Sequence, residues 1–192
     1  MLNGIKTLKF GVEDIAKSKQ YLADFGLKEV ESDIERAAKY QLGNGSSIYV
    51  FAIDDERLPP AFEAGSTLRE VTWAVNRYQD IELLAERLQS EPGYHFADGV
   101  VQCQDPNGMT LRFEEFILKA DLEATSLPIN QFGRINRVNA PSPVYEKADP
   151  VAIGHVVFFT PDLEKTQKFY EEKLSFYLSD AYRGRGAFMR CA

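Results

Sequence analysis

Histidine is nearly absent from this 192-residue chain: His95 and His155 are the only two. Cysteine is as scarce, and Cys103 and Cys191 lie far apart. That separation fits no zinc motif, so both cysteines are expected to be reduced and structural. There is no run of basic residues, and the net charge is −7. This argues against nucleic acid as a partner, because such a surface needs clustered Lys and Arg. Long apolar runs are missing too, so no membrane span is expected. The opening MLNGIKTLKFGVEDI passes straight into a strand pattern and lacks the form of a secretory signal. The cytoplasm is the expected location.

What is present is ordinary for a globular protein, with 44% hydrophobic and 27% charged residues. The length suffices for a sizeable core. Residues 5–12 read as a strand, and Asp14 is placed to cap a helix over 14–24. Ile15, Ser18, Tyr21, Leu22 and Phe25 share one face of that helix, whose expected role is core packing. Three short strand-like runs follow, with GNG at 43–45 as a hairpin turn. Together these make one βαβββ unit. After a Pro-broken loop over 54–66 the pattern restarts: strand 68–75, helix 77–90, then two strands joined by the turn DPNG at 105–108. Tyr78, Ile81, Leu84, Ala85 and Leu88 form the apolar face of the second helix. A short strand near YHFA (94–97) would complete a second βαβββ unit.

Residues 118–152 carry Pro128, Pro141, Pro143 and Pro150 and read as a linker. The opening pattern then returns a third time. AIGHVVFFTPDLEKTQKFY lies over GIKTLKFGVEDIAKSKQYL; Ile5 meets Ile153, an offset of 153 − 5 = 148. The same offset pairs Asp14 with Asp162 and Tyr21 with Phe169. So long a period indicates copies of a whole module rather than a solenoid. The expected division is a first module over 1–117, the linker over 118–152, and the first half of a second module over 153–192. The fold class is α+β: paired βαβββ units forming a curved mixed sheet with a cup.

Strict alternation along a strand sends one position of each leading strand into the cup. That position is Thr7 in the first unit, Glu70 in the second and His155 in the third, the last with Ile153 and Val157 on the same face. Arg112 is the matching position on the first module's closing strand. The plain reading of Glu70 and Arg112 is an ion pair filling the cup, and of Thr7 a space-filling strand former. An isolated strand histidine is usually a core histidine bonded to backbone. Tyr40, Tyr49 and Trp73 are candidate cup walls, although Trp73 lies an odd number of residues from Glu70 and should face away.

The paired openings IKTLKFGVEDIAKSKQYLADFGL and IGHVVFFTPDLEKTQKFYEEKLSF, with the closing strand DPNGMTLRF, resemble the vicinal oxygen chelate superfamily. That superfamily includes glyoxalase I, the bleomycin-resistance proteins and the type I extradiol ring-cleaving dioxygenases. A metal-free first module and a second module opening on His155 are most similar to the extradiol branch. The resemblance implies Fe(II), with Mn(II) as the other option, held by two histidines and a glutamate, and a catechol-type diol as substrate. It makes His155 the first ligand of a triad whose other members would lie beyond Ala192, so this chain alone is expected to be inactive and to bind no cofactor. Thr7, Glu70 and Arg112 are then vestigial cup positions. Two alternatives stand beside it: a non-catalytic small-molecule binder of the bleomycin-resistance type, and a glyoxalase-like lyase or isomerase. A half-module leaves an unpaired sheet edge, so a homodimer formed by exchange of half-modules is expected.

Overall fold

The computed structural model describes residues 1–119, 133, 135, 136, 144 and 146–191. The proposed linker therefore falls largely outside the described residues, Pro128, Pro141 and Pro143 included.

The first unit runs β1 (Leu2–Val12), α1 (Ile15–Asp24), β2 (Glu29–Val30), β3 (Ala38–Gln41) and β4 (Ser47–Ala52). The second runs β5 (Thr67–Val75), α2 (Tyr78–Leu88), β6 (His95–Ala97), β7 (Val100–Gln104) and β8 (Thr110–Glu115). Their strands form one eight-stranded mixed sheet in the order β2-β3-β4-β1-β5-β8-β7-β6. β1 lies parallel to β4 and antiparallel to β5, and β5 lies parallel to β8. The order of the second unit mirrors that of the first about the β1–β5 seam. This is the curved α+β sheet expected from the two repeats.

One face of the sheet carries the helices and the core. Val71, Val75, Val101, Leu111 and Phe113 meet Ile81, Leu84 and Leu88 of α2, all fully buried. Each such side chain contributes about 1.5–3 kcal/mol by leaving water. Tyr78, expected on this face, is instead 42% exposed; it starts the helix and lies beside Gly99.

The third unit contains α3 (Leu163–Glu172), β9 (Tyr177–Tyr182) and β10 (Gly186–Arg190). Shifting α1 by 148 reproduces the bounds of α3, since 15 + 148 = 163 and 24 + 148 = 172. The caps repeat as well. Asp14 accepts from the Lys17 amide and Asp162 from the Lys165 amide, both at 3.0 Å. β10 begins at the position equivalent to β3, 38 + 148 = 186.

Two expectations about these helices and strands need correction. Tyr21 and Phe25 are not core: they are 61% and 57% exposed and pack on each other at 4.9 Å, while Ile15 and Leu22 point inward. Their counterparts differ because α3 has a second neighbour. Phe169 and Tyr170 are buried against the first module, where Trp73 meets Phe176 edge-on at 5.2 Å. The strand expected at the start of the third unit is also not a paired strand: among the described residues, 151–160 belong to no ladder. β1 is held by β4 and β5. At the same offset β4 falls at 195–200 (47 + 148 and 52 + 148), past the last position of this sequence.

Cys103 is fully buried on β7, and burial pushes its thiol up to about 12. The unfolded thiol ionises near its ordinary value of 9.0, so stability should fall as pH rises from about 9 towards 12. A thiol-labelling reagent at pH 8 should modify Cys103 only after denaturant is added. Rapid labelling of Cys103 in the native protein would contradict that burial.

Candidate functional site, a charged cup in the first sheet

The opposite face of the sheet is polar because the strands alternate. On β5, Val71, Trp73 and Val75 go to the core, which leaves Glu70 and Thr72 for the cup. On β8, Leu111 and Phe113 go to the core and Arg112 and Glu114 to the cup. β4 contributes Ser47 and Tyr49. β1 is irregular: its ladder with β5 steps between Ile5 and Thr7. Ile5 and Leu8 therefore face the core, while Thr7 and Lys9 line the cup.

The cup has a volume of about 310 Å³. At its floor sits Glu70, with a side chain only 4% exposed. Its Oε1 takes Lys9 Nζ at 2.8 Å and a hydrogen bond from the Thr72 hydroxyl at 3.4 Å, with Arg112 Nε at 3.8 Å. Lys6 pairs with Glu114 at 3.0 Å and lies over the Phe116 ring. At the other rim Lys39 Nζ and the Tyr49 hydroxyl donate to Asp33 at 3.0 and 2.7 Å. Tyr49 first, and Lys39 with it, hold the Asp33 carboxyl below its usual range, while burial raises Tyr49. A wider depression of about 700 Å³ beside Ile15, Asp55 and Arg57 is open to solvent. Its chief charges, Asp55 and Arg57, already satisfy each other at 2.6 Å, so the cup is the stronger candidate.

The structure brings Thr7, Glu70 and Arg112 into this one cup. The residue closest to Glu70 is Lys9, which the sequence reading missed. Lys9 and Glu70 are direct cross-strand partners, two residues beyond Thr7 along β1. Of the candidate walls, Tyr49 lines the cup. Tyr40 is buried on the α1 side, and Trp73 is on the core face. His95, on β6, is exposed.

His155 is exposed and stands apart from these groups. Ile153, placed on its face by strict alternation, instead packs on the core with Val156 and Phe158. Val157 and Phe159 share the exposed side, at 72% and 84%. Subtracting 148 explains the pattern: Ile153, Val156 and Phe158 stand over Ile5, Leu8 and Phe10, all of which touch core. The inward pattern of β1 is repeated, with Ile153 on the core and His155 exposed. Among the described residues no three His, Cys, Asp or Glu side chains are grouped to hold a metal ion. A lone, exposed imidazole does not fit a three-ligand iron or manganese centre.

Residues 152–192 match the family model described as the Glyoxalase/Bleomycin resistance protein/Dioxygenase superfamily. No curated protein sequence matches the chain significantly. Among solved structures, the Mn(II)-bound glyoxalase from Novosphingobium aromaticivorans is similar over 99% of this chain and 58% of its own, at 19% identity and a TM-score of 0.68. A catechol 2,3-dioxygenase is similar over 100% of this chain and 64% of its own, at 16% identity and 0.64. The 2,2',3-trihydroxybiphenyl 1,2-dioxygenase from dibenzofuran-degrading Sphingomonas wittichii strain RW1 is similar over 93% and 59%, at 21% identity and 0.60. The chain thus spans roughly three-fifths of the length of these proteins. Its fold is the glyoxalase/extradiol dioxygenase fold, and the family match falls on the segment that carries His155.

Proposed function

We propose that this chain is the N-terminal portion of an extradiol-type ring-opening dioxygenase, with His155 as the first metal ligand of its second module. One observation carries the reading. Residue 155 − 148 is Thr7, and Thr7 lines the cup of the first sheet. A second sheet built on the same plan would aim His155 into its own cup. The first module over 1–117 is then the metal-free half, its floor acid Glu70 already held by Lys9. Residues 118–152 connect it to a catalytic-type half that begins at 153. The similarity to catechol dioxygenases supports an aromatic diol as the substrate class. His155 alone supplies one of the three ligands an Fe(II) or Mn(II) site needs, so no catalytic step is assigned to the 192-residue chain. A homodimer formed by exchange of half-modules, one per chain closing a composite sheet, is part of the same proposal.

The test begins with the reading frame, expected to continue past Ala192 into a second histidine and a later glutamate. The 192-residue chain should neither hold Fe(II) through gel filtration nor open catechol, and it should sediment as a dimer at micromolar concentration. The extended chain should bind one Fe(II) and lose it on His155→Ala. A frame that ends at Ala192, or metal binding indifferent to His155→Ala, would overturn the ligand assignment. A monomer in sedimentation would remove the dimer alone.

A further inference from the structure

We propose that the cup of the first module is a binding site for a small organic carboxylate, anchored by Arg112. The charges of the cup are the basis. Lys6, Lys9 and Lys39 each have an acid within 3.0 Å: Glu114, Glu70 and Asp33. Arg112 is the fourth cation, and among the described residues no fourth acid lines the cup. Its nearest carboxylate is that of Glu70, at 3.8 Å and already taken by Lys9. That distance is too long for a hydrogen bond, so the guanidinium donates none among the described residues. Its side chain is 33% exposed, toward the cavity.

An arginine with free donors in a concave site suits a carboxylate, whose two oxygens match the planar guanidinium fork. The tally also selects the charge of the ligand. One surplus cation balances one negative charge. A doubly charged phosphate would meet Glu70 and Glu114 without compensation. The cavity, about 310 Å³, is at the small end for ligand sites, which run from about 300 to 1,000 Å³. Tyr49 and Phe116 put aromatic rings on its walls, and Thr7 and Thr72 put hydroxyls between them. A ring-bearing monocarboxylate fits this lining better than acetate does. The site is independent of His155 and of any metal.

The experiment is calorimetric titration of the 192-residue protein with benzoate, with acetate and inorganic phosphate as comparison probes. Benzoate should bind saturably, one per chain, with a dissociation constant of about 1 mM or tighter. Acetate and phosphate should bind more weakly. Arg112→Gln should weaken benzoate binding about tenfold or more, and Arg112→Lys should restore only part of it, because lysine lacks the fork. Arg185→Gln, outside the cup, should leave the affinity unchanged. Circular dichroism would show that each variant is folded. Absence of saturable benzoate binding, or equal affinity in Arg112→Gln, would overturn the proposal. Tighter binding of phosphate than of benzoate would overturn the assigned ligand class. None of these results depends on the dioxygenase reading, which stands or falls on Fe(II) and His155.

Discussion

Asp105→Ala should destabilise the protein by about 3 kcal/mol and loosen the third unit from the first. Asp105 opens the DPNG turn and is 3% exposed. Its carboxylate accepts from the amides of Asn107 and Met109 at 2.8 and 3.0 Å, which shapes the turn. It also accepts from the Tyr170 hydroxyl at 3.2 Å, across 65 residues of sequence. Burial first, and then the negative charge of Asp105, raise the Tyr170 hydroxyl well above its ordinary value, so it stays protonated and donates. Alanine would leave a buried amide and a buried hydroxyl unpaired together. Lys173–Glu91 at 2.8 Å and Arg87–Ser175 at 2.8 Å would remain, so the third unit would be weakened at one end rather than released. Urea unfolding followed by Trp73 fluorescence is the measurement, because Trp73 packs on Phe176 and Phe176 on Tyr170. Asp105→Asn, which keeps one acceptor for the turn, should cost roughly a third as much. A loss below about 0.5 kcal/mol for the alanine variant would refute the turn's role as the fastening point.

The second large effect is expected at the floor of the cup. Lys9→Met should cost about 2 kcal/mol, because it leaves Glu70 almost wholly buried beside an arginine too distant to bond it. Glu70→Leu should cost less, since Lys9 is 21% and Arg112 33% exposed and water can reach both cations. The double variant should be more stable than the sum of the two losses, by about 1 kcal/mol or more. Additive losses in thermal or urea unfolding would mean that the 2.8 Å contact carries no coupling energy.

The repeat was legible in the sequence because its markers are local. The capping Asp14 and Asp162, the GNG and DPNG turns and the apolar spacing of α2 all act within a few residues of themselves. The positions of Glu70 and Arg112 followed from period two on regular strands. What failed was the assumption that β1 is regular too. The step between Ile5 and Thr7 has no residue that announces it, and it comes from pairing with β5. Ile153 follows the inward position of Ile5 instead of alternating with His155. One cup position per strand does not yield Lys9, because β1 gives the cup several. The exposure of Tyr21 and the burial of its counterpart Phe169 differ through first-module neighbours distant in sequence, which helix periodicity cannot see.

The exposed side of the segment over 153–160 also bears on how the protein behaves in concentrated solution. Val157 and Phe159 offer apolar side chains beside backbone groups that no ladder uses among the described residues. Open backbone groups beside apolar side chains are a template on which a second strand can pair. This edge is therefore the part of the described structure from which self-association would start as concentration rises.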